Sequence, residues 1–254
     1  MKARVRIALS LLVLGAAGCE NAVYWPPVAN SPALAKQGDV GVALHGSPIQ
    51  GQMNGGVAVT NHLAARFNAE YRIATDQDPT YGGDLGLGWF TTQDAAEKGP
   101  DGAIGWREGI SLDLGKGQVN DLRKDLAAQF SQDGVLTSLD FHELRYKTDF
   151  TRATLQADAG YQFQTYSLVA VARYSATQGK LHFRGTQGGT DTLAEEDANW
   201  EFFDAIGIVR ARLIEHLNLE VQLGASVPVG RVGPIATDGQ LWPIVFAVGL
   251  QPGF

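Results

Sequence analysis

Five histidines are the first residues to weigh as chemistry: His45, His62, His142, His182 and His216. His142 stands in the most suggestive company. Asp140-Phe141-His142 puts a carboxylate and an imidazole two positions apart, on one face if the segment is extended, with Glu143 and Asp149 close in sequence. A carboxylate that orients a histidine, which in turn activates water, is a workable arrangement for hydrolysing a peptide or a lipid. The signature is still only D-x-H in a loop, a combination that recurs by chance. His62 and His216 lie in matching short turns, Asn61-His62-Leu63 and Glu215-His216-Leu217, where a turn residue needs no catalytic role. His45 followed by Ser47, and His182 followed by Thr186, pair an imidazole with a hydroxyl but have no acid at fixed spacing. No catalytic residue is assigned on this basis. His142 with Asp140 is kept as the candidate pair of an alternative reading, a surface hydrolase.

Other chemistries fare less well. Asp191, Glu195, Glu196 and Asp197 form an acidic run that reads as a solvated loop rather than a cation site. There is no P-loop, dinucleotide fingerprint, zinc-ligand spacing or serine-hydrolase elbow, so no cofactor and no metal is expected. The formal net charge is −7, and it falls to −10 if Lys2, Arg4 and Arg6 are removed with a signal segment. An acidic chain without a basic patch argues against nucleic acid as a partner.

The elements that would carry such residues are strands. From Leu63 to Ile73, Leu63, Ala65, Phe67, Ala69, Tyr71 and Ile73 alternate with Ala64, Arg66, Asn68, Glu70 and Arg72. A period of two sends successive side chains to opposite faces. One face is apolar, and the other carries more charge than the core of a soluble sandwich accepts. A barrel in a membrane inverts the usual order, with apolar side chains outside and polar ones in the lumen. The same alternation marks candidate strands at 39–45, 51–59, 82–90, 104–114, 151–163, 166–176, 203–213, 217–227 and 241–250. Glu108 is the one charge on an apolar face. Segments 115–150 and 177–200 read as long loops. Asn120–Phe130 within the first, with Leu122, Leu126 and Phe130 at four-residue steps, reads as a short amphipathic helix with Asn120 as its N-cap.

The connections add a second pattern. Those after the second, sixth and eighth candidate strands are short turns. Those after the third, fifth, seventh and ninth are longer. Bacterial outer-membrane barrels have short periplasmic turns, longer external loops and an even strand number. The predicted fold is therefore all-β: an antiparallel up-and-down transmembrane β-barrel of about ten strands, with both ends of the barrel periplasmic. The polar connection 91–103 is longer than a periplasmic turn should be. By the same alternation Arg66, Glu70, Arg72, Asp84, Arg107, Asp113, Arg152, Asp158, Arg210, Arg212 and Glu220 point inward. A barrel of this size is only just wider than side chains can fill. A lumen charge network that plugs the interior is thus expected over an open pore, and a small channel is the remaining alternative.

The start of the chain is read as outside the fold. Lys2, Arg4 and Arg6 precede an apolar run, Ile7 to Leu14, that is too short for a membrane helix of about 20 residues. Gly15-Ala16-Ala17-Gly18 then leads to Cys19, the only cysteine, so no intrachain disulfide is possible. The expected division is 1–18 as signal peptide, 19–38 as a lipid-anchored tether rich in Pro and Asn, and 39–254 as the barrel. Phe254 resembles the aromatic end of outer-membrane barrels, while Pro252 and Gly253 just before it are expected to spoil the final strand. Cys19 after small residues, Tyr24 to Gly38 (YWPPVANSPALAKQG), a glycine-rich first hairpin, Ala58 to Leu63 (AVTNHL) and the final β-hairpins together resemble a family of small, mostly uncharacterised outer-membrane β-barrel lipoproteins. The resemblance implies acylation of Cys19, for example by palmitate, and an outer-membrane location. It also implies membrane lipid and the barrel assembly machinery as partners. No activity comes with it. A monomer with a structural or surface-binding role is the resulting expectation.

Overall fold

The computed structural model describes residues 27–47, 50–72, 79–94, 105–130, 136–163, 165–187, 190–214, 217–229 and 244–252. Among them the regular elements are all strands: β1 (Val40–Ser47), β2 (Gln50–Ala58), β3 (Leu63–Arg72), β4 (Thr80–Asp94), β5 (Gly105–Phe130), β6 (Leu136–Gln162), β7 (Tyr166–Gln187), β8 (Thr190–Ile214), β9 (Leu217–Pro228) and β10 (Ile244–Pro252). Each pairs antiparallel with its neighbours in sequence, and β1 pairs with β10, so the sheet closes into a barrel. Closure leaves no edge in the barrel wall, and every strand's backbone polar groups can be satisfied there. Strand β10 runs through Pro252, which lies opposite Leu217, so the proline expected to spoil the last strand is accommodated within it. Phe254, Cys19 and residues 1–18, read from the sequence as a signal peptide, lie outside the described residues.

The alternation read from the sequence sets which way each side chain faces. In β4, Leu85 and Leu87 are 73% and 69% exposed on the outer surface, while Asp84 between their rows is buried. Outward Leu112, Leu114, Leu155, Leu168, Val209 and Leu223 continue the band around the wall. Inward Asp204, Glu220 and Gln222 are at most 1% exposed. Rings flank the band. Tyr71 faces Tyr81 and Tyr174 faces Phe203 on one side. On the other side Trp106 packs edge-on to Tyr161 at 4.6 Å and Phe163 stacks on Tyr166 at 4.3 Å. Glu108, the charge on the apolar face, sits beside that second belt and accepts a hydrogen bond from the Trp106 indole at 3.4 Å.

The two ends of the barrel differ. Val40, Pro252, the 59–62 connection and the facing ends of β6 with β7 and of β8 with β9 share one end, the short-turn end. At the opposite, distal end, β5 to β8 rise far beyond their neighbours, with 26, 27, 22 and 25 residues against 9 or 10 in β2 and β3. Pairing of β4 with β5 stops at Tyr81↔Gln118, and that of β8 with β9 at Phe202↔Pro228. Above those rungs β5, β6, β7 and β8 form a four-stranded sheet that stands clear of the barrel. At ~3.3 Å per residue, Gln118 to Phe130 alone extends it by about 40 Å.

This sheet corrects two expectations. Segments 115–150 and 177–200 are not loops; their described residues, 115–130, 136–150, 177–187 and 190–200, are strand. Asn120–Phe130 is not a helix but the upper part of β5, in register with β6 from Asn120↔Lys147 to Phe130↔Leu136. The physical reason lies in the spacing. Steps of four are also even steps, so Leu122, Leu126, Ala128 and Phe130 satisfy a period of two as well as a helical stripe. Pairing with a ready-made neighbour then satisfies the backbone along its whole length, whereas a short isolated helix is marginal in water.

Candidate functional site

The inside of the barrel is occupied by the chain's own N-terminal segment. Pro27 to Ala35, read from the sequence as part of a tether outside the barrel, is extended and runs down the lumen. The Val28 amide donates to Gln52 Oε1 at 2.7 Å. The Ala29 amide donates to Gln222 Oε1 at 2.8 Å, and its carbonyl accepts from Gln222 Nε2 at 2.9 Å and Asn54 Nδ2 at 3.1 Å. Asn30 Nδ2 reaches the carbonyls of Gly55 and Phe67, and its own carbonyl accepts from Gln156 and Arg66. Ser31 Oγ donates to Asp158 at 3.0 Å, while Arg210 and Arg107 donate to the Ser31 and Pro32 carbonyls. A buried backbone without such partners would be costly, and here the wall's side chains replace the water.

Apolar contacts complete the seat. Ala29 packs on Val171, Ile206, Ile208 and Val245, and Leu34 on Ala58, Ala64 and Phe90. These inward aliphatic residues of β7, β8 and β10 would be out of place in a water-filled lumen. Glycines in the first hairpin make the room. A Cβ on Gly41 would stand 3.1 Å from Pro32 Cβ and 3.3 Å from the Ala33 amide nitrogen. Gly41→Val should therefore cost about 1–3 kcal/mol through overpacking. The loss should shrink in a Pro32→Gly background, as read from denaturant midpoints of the protein in detergent micelles.

Around this plug the inward charges pair. Arg152 Nε and Nη2 hold both oxygens of Asp84 at 3.1 and 2.6 Å, and Nη2 also reaches Glu70 Oε1 at 3.1 Å. Asn68 donates to the same Asp84 at 3.0 Å. Arg66 lies 3.5 Å from Asp113, and Arg107 3.5 Å from Asp158. Arg210 Nε donates to Glu220 Oε2 at 2.6 Å, and the other oxygen of Glu220 bonds His45 Nε2 at 2.8 Å. Of the charges placed inward from sequence, nine are thus brought into contact with a partner or the plug. Arg72 is half-buried on the same face near the distal end. Arg212 is exposed instead, because the β8–β9 register shifts beside it at the last turn.

The inward charges named from sequence leave out Arg173 and Asp204, which pair at 2.6 Å and are both buried. Parity would have found them, since Arg173 alternates with outward Ala172 and Tyr174. His45, which the sequence sets only beside Ser47, lies inside the lumen. The plug left a signal in the wall: Leu168 to Ala172 is apolar on both faces, which needs something apolar on the inner side. Below the plug a cavity of about 580 Å³ opens at the short-turn end, with Lys36, Arg107, Arg210 and Arg212 on its walls.

Among the described residues, the histidines outside the lumen lie apart from one another. His142 and Asp140 lie on the raised part of β6, opposite Asp125 and Ala127 of β5. His182 is exposed on the outer face of β7, with Nδ1 3.8 Å from Glu195 Oε2. His62 is exposed in the 59–62 turn, with Nδ1 3.3 Å from the Phe90 carbonyl. His216 lies outside the described residues. The acidic run is strand, and Glu195 within it pairs with Lys180 at 2.7 Å. That hydrogen bond lowers the Glu195 carboxyl from its ordinary value and raises the Lys180 ammonium. Among the described residues no group of His, Cys, Asp and Glu is placed to hold a metal ion.

No known family model matches the chain, and no curated protein matches it. The assignment of a role therefore rests on the geometry alone.

Proposed function

We propose that this protein is an outer-membrane β-barrel lipoprotein, closed by its own N-terminal segment, that acts in structure or binding at the cell surface rather than as an enzyme or a pore. One observation carries the membrane reading. The closed barrel exposes leucines such as Leu85 and Leu87 on its outside and buries Asp204, Glu220 and Gln222 inside. In water that distribution would be costly on both surfaces. In a bilayer it is the expected one. The aromatic belts support it. From Tyr166 to Tyr174 the strand rises ~26 Å, or about 20 Å after a tilt of ~40°, comparable to the apolar band of an outer-membrane barrel.

On this reading the short-turn end faces the periplasm and the four-stranded sheet of β5 to β8 stands outside the cell. Its outer face changes from Leu114, Tyr174 and Phe203 to Lys116, Asp149, Lys180 and Asp197, as a wall leaving lipid for water should. Acylation at Cys19, delivery by the barrel assembly machinery and a monomeric state are part of the same proposal.

The deciding experiment is partition. The protein lacking residues 1–19 should aggregate without detergent and fold in micelles or vesicles. If it stays monodisperse in plain buffer, the membrane reading is lost and a soluble lipid-tethered barrel takes its place. A second measurement tests closure. The full mature protein should pass no current in a planar bilayer, whereas a chain lacking residues 27–35 should give discrete conductance steps. Current through the intact protein would make it a channel.

A further inference from the structure

The plug has a direction, and it can be read rung by rung. Val28 is bonded to Gln52, two residues from the distal end of β2 at Gln50. Asn30 is at the level of Gly55, and Leu34 is beside Ala58. The Gln37 amide donates to Asn61 Oδ1 in the 59–62 turn, and Gly38 follows with a φ of 88° and bonds the Ala58 carbonyl. The chain therefore descends from the distal end to the short-turn end, reverses at Gly38, and climbs again as β1. A tether arriving from the periplasmic face would have to enter the lumen from the opposite side.

We propose that the polypeptide preceding Pro27 emerges at the distal end of the barrel, so that the mature N-terminus and any lipid on Cys19 lie at the cell surface, in the outer leaflet. Which end of the barrel it leaves is read from the hydrogen bonds above. That this end is the cell surface rests on the membrane reading just given.

Occupancy of the lumen and the reach of the chain exclude a return path. At the level of Ala29 to Ser31 the plug is bonded to β2, β3, β6, β8 and β9 at once, through Asn54, the Phe67 carbonyl, Gln156, Arg210 and Gln222. A second pass of chain through that cross-section would break those bonds. Reach decides as well. The eight residues from Cys19 to Pro27 span at most about 28 Å when extended. That suffices to leave the upper lumen and cross the rim into the adjoining leaflet. Retracing the path that residues 28 to 37 occupy would use all of it before reaching lipid.

The test uses the full chain with one short epitope inserted at three places in turn: between Glu20 and Asn21, between Asp238 and Gly239 in the β9–β10 connection, and between Gln164 and Thr165 in a short turn. Antibody is added to intact cells and to permeabilised ones. The expected result is that the epitopes after Glu20 and after Asp238 give the same signal before and after permeabilisation, and the one after Gln164 only after it. An epitope after Glu20 that behaves like the one after Gln164 overturns the inference and leaves the membrane barrel standing. If the epitope after Asp238 is also hidden, the membrane orientation has failed and the leaflet assignment falls with it. The end of the barrel is then decided on purified protein by spin-label distances in a Cys19→Ser background. Asn21→Cys lying closer to Asp238→Cys than to Thr165→Cys supports distal emergence, and the reverse order overturns it.

Discussion

Arg152→Met should destabilise the folded barrel by about 3–5 kcal/mol, the loss expected when one partner of a buried ion pair is removed. Arg152 is 2% exposed, and its guanidinium serves two carboxylates, Asp84 in β4 and Glu70 in β3. Methionine keeps much of the volume and leaves both acids buried beside each other without their shared cation. The residual bond from Asn68 to Asp84 offsets only a part of that. The measurement is urea unfolding of the protein in detergent or vesicles, followed by tryptophan fluorescence and by the heat-dependent shift of the folded band on a gel. Neutralising both acids with Glu70→Gln and Asp84→Asn in the Arg152→Met background should recover most of the loss, because the penalty lies in the uncompensated charges and not in the missing side chain. A single-variant loss below ~1 kcal/mol, the value typical of a solvated surface pair, would mean that the lumen is wet and the network is not structural.

The second large effect separates membrane from water by sign. Leu112 faces outward in β5, 54% exposed, between Leu87 of β4 and Leu155 of β6. In a bilayer Leu112→Arg should cost about 2–4 kcal/mol, the value for a cation near the midplane of a barrel's lipid face. In a soluble barrel the same change at an exposed site should lie within about 0.5 kcal/mol of zero and should improve solubility. Folding into vesicles, read by urea midpoint against the unsubstituted protein, distinguishes the two. Lys116→Leu is the control. It sits on the same face beyond the band, and its stability should barely move in either solvent.

How much of this was legible in the sequence follows from what a period of two can encode. The alternation in Leu63–Arg72 and Thr151–Gln162 reports which face is apolar, and strand number, pairing order and the inward positions of Arg66, Asp84 and Arg152 all follow from it. Strand length in the upper sheet was not legible. Past Gln118 the contrast between alternate residues fades in the sequence itself, and Asn120–Phe130 fits a helix stripe equally well. The plug was hidden for a different reason. Pro27 to Ala35 has no regular hydrogen-bond pattern of its own, and its partners are Gln, Asn and Arg side chains of the wall, more than 20 residues away in sequence. No local rule connects Ala29 to Gln222. The traces it left, glycines at 41 and 56 and the doubly apolar stretch of β7, are explained only once Pro32 and Ala29 are seen against them.

The direction of the plug also constrains the order in which the molecule can be assembled. The seam between β1 and β10 joins opposite ends of the chain, in register at Leu44↔Leu250 and His45↔Gly249, and it is the only closure that is not between sequence neighbours. Such a contact carries the largest loop-closure entropy in the fold and forms late. An N-terminus acylated at Cys19, as proposed above, could not be threaded afterwards through a narrow, charge-lined tube. The segment must therefore lie along the inner face of an open sheet, exchanging water for Gln52, Gln156 and Gln222, before the last seam shuts over it. The barrel is in this sense wrapped around its own beginning, and closure has to take place with that segment already seated.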